Sequence, residues 1–247
     1  MPKVAADGLE ALRAEIDLKA IVTLIERTAR WVAPETFRLL PTWYPEHGRG
    51  HHFYKGKWSE PQMNTKRATG ESAHKTEGNL NANKALTMAL GLRTKDRPHW
   101  SCCHIWGVDD PLFQKGNDVV KDRRFFSCVA NMVLLPTPLK AFTDTMPEVK
   151  AMLRICSRNL YEWTCDHESL VETVQALDAW DAWDDYPDSW PRKPGQKRPL
   201  GVIDLTPEIE KQVRKRRAAI KGDLAHAGPH YPRAEVQEVL DYWKIEL

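Results

Sequence analysis

The feature that most constrains this chain is a pair of short apolar segments held apart by a long polar stretch. The first is "HWSCCHIWG" at residues 99–107, and the second is "NMVLLP" at 131–136. Both are too short for core helices and are bounded by polar or turn-forming residues, so they read as strands. Thr137-Pro138 follows the second directly, and Pro suits the first position of a helix. The order strand, return strand, helix places His104 late in the first strand and Asn131 at the head of the second. An imidazole there has three uses: a metal ligand beside Cys102 and Cys103, a packing residue, or a general base.

Helical patterning dominates the rest. Leu9, Leu12, Ile16, Leu18, Ile21, Leu24 and Ile25 recur close to a 3.6 period and predict an amphipathic helix over 9–31. Residues 34–62 are rich in Pro, Gly, His and aromatics and predict an ordered loop or short strands, since flexible linkers lack such aromatics. "GNLNANKALTMALG" at 78–91 predicts a helix closed by Gly91. Met146-Pro147-Glu148 opens or kinks a further helix, Thr206-Pro207-Glu208 opens another, and a last one spans 232–245. No repeat or low-complexity segment interrupts this.

At 247 residues the chain can bury a full core, and 42% apolar with 28% charged residues is ordinary for a globular protein. No apolar run approaches the ~18 residues that cross a bilayer. The N-terminal stretch lacks a signal-peptide core, so the expected location is cytoplasmic. Five cysteines without CxxC spacing are expected as reduced, buried thiols. The net charge of +2 excludes a uniformly basic surface, but the charges are segregated. Residues 167–189 hold seven acids and no Lys or Arg; residues 191–222 hold ten Lys or Arg against three acids. That basic block, with Arg214, Arg216 and Arg217 in "KQVRKRR", either follows a phosphate backbone or is a solvated helix face with pairs such as Glu210–Arg214.

The His104 strand, the Asn131 strand and the helix after them resemble the HNH, or ββα-metal, nuclease family. The residues that carry the resemblance are Cys103-His104-Ile105, Asn131-Met132-Val133-Leu134-Leu135 and Lys140, within residues 99–163. The resemblance implies an α+β fold in which a small hairpin-helix core is embedded in a mostly helical chain. Residues 1–98 and 164–247 would then position DNA around the core at 99–163. It implies that His104 activates water, that Asn131 gives an amide oxygen to Mg²⁺ or Mn²⁺, and that Lys140 neutralises a phosphate. Asp144, one turn beyond Lys140, would reach the ion through water, with Asp109 and Asp110 as weaker alternatives. The pattern departs from the family at Cys103, where many members have Asp, and at Lys140, where His or Asn is usual. Thiols are poor ligands for Mg²⁺.

The expectation is a metal-dependent endonuclease of double-stranded DNA, site-specific or modification-dependent in the manner of restriction enzymes, working as a homodimer. Two alternatives stand beside it. One is a non-catalytic DNA-binding protein with a degenerate HNH fold. The other is a zinc-stabilised helical interaction module, its ion held by Cys156, Cys165 and His167 with Cys102 or Cys103. Further candidates carry less weight. "HGRGHH" at 47–52 suits a metal or a phosphate, 64–75 suits a DNA-contacting loop, and Trp180, Trp183 and Trp190 suit base stacking or, by their spacing, the core.

Overall fold

A computed structural model describes residues 7–65, 68–107 and 118–247; Lys66, Arg67, Asp109 and Asp110 lie outside them. Two short helices begin the chain, α1 (Gly8–Arg13) and α2 (Leu18–Thr28), where one continuous helix is expected from periodicity. Asp17 makes the difference: its carboxylate accepts the Ala20 N–H at 2.6 Å and starts a new helix there. β1 (Trp31–Val32) leads into α3 (Pro34–Leu39), with Pro34 in its first turn. Two hairpins follow. The first joins β2 (Tyr54–Lys55) to β3 (Glu60–Pro61), and the second joins β4 (Met63–Thr65) to β5 (Ser72–His74). α4 (Leu80–Ala89) ends just before Gly91, whose φ of +66° is the left-handed conformation that glycine accepts without strain.

β6 (Trp100–His104) and β7 (Met132–Pro136) pair antiparallel, with Cys102 opposite Leu134 and His104 opposite Met132. Between them lies α5 (Arg123–Phe126), and after β7 a single 3₁₀ turn runs into α6 (Lys140–Thr145) and then α7 (Pro147–Tyr161). α8 (Val171–Asp178), β8 (Val202–Ile203), α9 (Pro207–His226) and α10 (Arg233–Trp243) complete the chain. The architecture is therefore mixed helix and sheet, with helices predominating.

One hydrophobic cluster joins all three stretches of the chain, from Ile21 to Ile245, and includes both strands of the β6–β7 hairpin. β7 is buried along Met132–Leu135, because α2, α4 and β1 cover it. β1 pairs in parallel with β8, joining residues 31–32 to 202–203. The Tyr161 hydroxyl donates to the Val32 carbonyl at 2.8 Å, and Ser157 donates to the Ala130 carbonyl at 2.6 Å, so α7 is pinned to both ends of the core. All five cysteines are free and buried. No helix among the described residues is long and apolar enough to cross a membrane.

Candidate active site

β6 delivers His104 half-buried at the end of the hairpin, and its ring lies over Phe126 with centroids 5.8 Å apart. His104 Nε2 is 2.9 Å from the Phe126 carbonyl oxygen. A carbonyl only accepts, so Nε2 carries a proton, and in the neutral ring the lone pair falls on Nδ1. This is the tautomer that a general base needs, and the fold fixes it through the short helix α5. Gly107 lets the chain turn back against this residue, since a Cβ there would come within 3.0 Å of the His104 Cβ.

α6 and α7 bring cations and a carboxylate to the same place. His104, Lys140, Asp144 and Lys150 line one small cavity with Arg49 and Asn79. Its volume is about 10 Å³, roughly the space of a single water molecule. Lys140 and Asp144, one turn apart on α6, form an ion pair. Lys150 is only 1% exposed, and its ammonium donates to the His104 carbonyl at 3.0 Å. Among the described residues the lining carries three cationic side chains, Arg49, Lys140 and Lys150, and one carboxylate, Asp144. Cys103 also lines it, but burial pushes this thiol up to about 11, so it stays protonated and holds no hard cation.

Asn131 plays a different part from the expected one. It is fully buried, its Oδ1 accepts the Trp106 N–H at 2.7 Å, and its Nδ2 donates to the carbonyls of Trp106 and Phe125, both at 3.1 Å. All its polar capacity ties the segment after β6 to α5, which holds the Phe126 carbonyl where His104 meets it. Two other oxygen-bearing side chains, Asp144 and Asn79, line the cavity. Asp144 supplies a carboxylate. Asn79 Oδ1 is buried without a hydrogen-bond partner among the described residues, in a cavity that needs an acceptor satisfied. A carboxylate and an amide oxygen suit the few-ligand, hard-oxygen preference of Mg²⁺. The described residues contain no group of three or more His, Cys, Asp or Glu side chains that could hold a metal ion. Neither the cysteines with His167 nor the histidines at 47–52 form such a group.

The basic helix also needs revision. Arg214 is exposed, 3.6 Å from Glu210. Arg216 is 8% exposed, pairs with the buried Glu46, donates to the Trp43 carbonyl and covers the Tyr44 ring at 4.4 Å. Arg217 is half-buried and donates to the Leu39 carbonyl at 2.6 Å. A phosphate-binding row of all three is corrected to a single exposed arginine, since the other two anchor α9 to the segment after β1. Trp180 and Trp183 pack against each other and against Tyr186, and Tyr186 meets Trp190 in turn.

Sequence reasoning missed Lys150 and Asn79. Lys150 had a signal: it sits on the buried face of α7 with Val149, Leu153 and Ser157, where a lysine requires a reason. Asn79 had none, because only the folded chain brings it to His104; Arg49 lay within the 47–52 stretch expected to suit a metal or a phosphate. Comparison with protein-family models, with curated proteins and with solved structures finds no match.

Proposed function

We propose that the protein is a metal-dependent endonuclease of double-stranded DNA, built on an HNH-type hairpin and helix. The observation that carries the reading is the histidine whose tautomer is fixed by a main-chain carbonyl, set in one cavity with Lys140, Lys150, Arg49 and Asp144. His104 Nδ1 takes the proton of the attacking water. Arg49 and Lys140 hold the phosphate oxygens and offset the charge that grows on them, while the buried Lys150 fixes the end of β6 through the His104 carbonyl. Asp144 and Asn79 Oδ1 are the donors that would hold a divalent ion such as Mg²⁺ or Mn²⁺, which supplies charge stabilisation at the leaving oxygen. Two chains, one for each strand of the duplex, account for a double-strand cut, in the manner of a site-specific or modification-dependent restriction enzyme.

The test is incubation of methylated and unmethylated supercoiled plasmid with the protein in Mg²⁺ or Mn²⁺, with mapping of the ends. Nicking or linearisation that a chelator stops, and that His104→Ala lacks, is the expected result. The Lys140–Asp144 ion pair favours one rival, a non-catalytic DNA-binding protein. Salt-sensitive retention of DNA with no cleavage on either plasmid would establish that rival and overturn the nuclease.

A further inference from the structure

A second pocket, of about 300 Å³, is lined by Glu46, His51, Tyr54, Trp58, Arg123 and His230. That volume is at the lower end for small-molecule sites. Its walls are aromatic: Tyr54 stacks on His230 at 4.9 Å and 16°, and Trp58 leans on Tyr54 at 5.2 Å. Two of its polar atoms are unspent. Glu46 is 5% exposed and uses Oε1 on Arg216, while Glu46 Oε2 and His51 Nδ1 are buried without hydrogen-bond partners among the described residues. Buried acceptors of this kind are rare without a ligand or water to satisfy them.

The backbone around the pocket is strained in a directed way. Lys57 and Trp58 at the tip of the β2–β3 hairpin have φ of +43° and +68°, a region that bulky residues avoid. The Gly228 N–H donates to the Lys57 carbonyl at 2.6 Å, and a side chain at Gly228 would overlap the Trp58 carbonyl. The connection between α9 and α10 thus clamps the hairpin tip in the one conformation that places Trp58 in the wall. The pocket shares His51 and Arg123 with a neighbouring cleft of about 860 Å³. It is also close to the His104 cavity: Arg49 lines one and His51 the other, and two residues of chain span at most about 7 Å.

We infer that this pocket receives a single nucleobase, packed against the aromatic wall of Trp58, Tyr54 and His230, with Glu46 Oε2 and His51 Nδ1 meeting hydrogen-bonding groups on its edge. Enzymes that read or modify a base outside the helix use the same combination of aromatic faces and buried edge contacts. Burial holds His51 down at about 4, with Arg123 adding to the effect, so the imidazole is neutral near pH 7 and able to accept. The inference rests on the nuclease reading only for the base coming from a DNA strand; a free nucleoside presents the same chemistry.

The probe is 2-aminopurine, as the free deoxyribonucleoside and within a single-stranded oligonucleotide, titrated with the full chain in chelator so that no cleavage enters the readout. Quenching of its fluorescence on binding is expected. Trp58→Ala and His230→Ala should each weaken binding about five- to tenfold, as loss of a stacking face does. His230 is exposed, so its variant tests the pocket even if Trp58→Ala lowers the melting temperature. Quenching by the oligonucleotide alone assigns the base to a strand, and equal quenching by the free nucleoside assigns it to a small molecule; either supports the pocket. Unchanged fluorescence at saturating protein, or parent-like affinity in both variants, overturns it. Quenching without plasmid nicking would remove the nuclease and leave the pocket standing.

Discussion

At His104 the decisive contact is with a main-chain carbonyl, so removing the ring should cost chemistry more than stability. His104→Ala is expected to reduce single-turnover plasmid cleavage to background while the melting temperature and DNA affinity stay near the parent values, since a base acts only in the transition state. Asn131→Ala should do the reverse. It strands three buried backbone groups at Trp106 and Phe125 and is expected to cost about 2–4 kcal/mol in urea unfolding; a stable variant rescued by high Mn²⁺ would restore Asn131 as a ligand. The arginines of α9 separate in the same way. Arg216→Ala should cost roughly 3–5 kcal/mol by leaving Glu46 buried and unpaired, whereas Arg214→Ala should leave stability within about 0.5 kcal/mol. This difference had a sequence signal, because Arg216 falls in the stripe Ile209, Val213, Ile220 that α9 buries. The role of Asn131 had none, since the same residue type heads a strand whether its amide faces an ion or a turn. A pH effect also belongs at this scale. Burial first, and Arg216 second, hold His47 at about 3 against an ordinary 6.5. Between these values the unfolded chain binds a proton that the native one refuses, so stability falls as pH drops from about 6.5 towards 4, by up to about 1.4 kcal/mol per pH unit. His47→Phe should flatten that slope in unfolding measured at pH 7, 5.5 and 4.5; an unchanged slope would assign it to other groups.

Among the elements, β6 and β7 were legible because each is a short apolar run with turn chemistry beside it, and α4, α7, α9 and α10 because their caps and prolines mark their ends. α3 was not. Six residues between Ala33 and Leu40 carry too little periodicity to stand out from an aromatic, proline-rich stretch. The long loop after α3 was legible as ordered but not as a bridge between two cavities. Gly48 is what allows that bridge, since a Cβ there would overlap the Lys121 carbonyl oxygen. Gly48→Ala should therefore displace Arg49 and His51 together. Its expected signature is loss of plasmid nicking and of 2-aminopurine quenching in one variant, with about 1–3 kcal/mol of stability lost to overpacking; normal behaviour in both assays would show that the loop yields.

On the scale of the whole molecule, residues 99–163 share one hydrophobic core with the segments before and after them. β7 is covered by α2 and β1 on one side of the sequence, and α7 holds Val32 through Tyr161. A fragment of residues 99–163 should accordingly be disordered by circular dichroism, while the full chain unfolds in a single cooperative transition; a folded, cleaving fragment would show the opposite. What no local pattern can reveal is which distant segments share a core, because each strand and helix satisfies only its own periodicity. The β1–β8 pair gives this a temporal side. Trp31 takes its partner from a segment 171 residues later in the chain, which a ribosome adding ~5–20 residues per second delivers roughly 10–30 seconds afterwards. For that interval the newborn chain carries an unclosed strand edge, so its yield in a cell depends on what shields Trp31 and Val32 until residue 202 emerges.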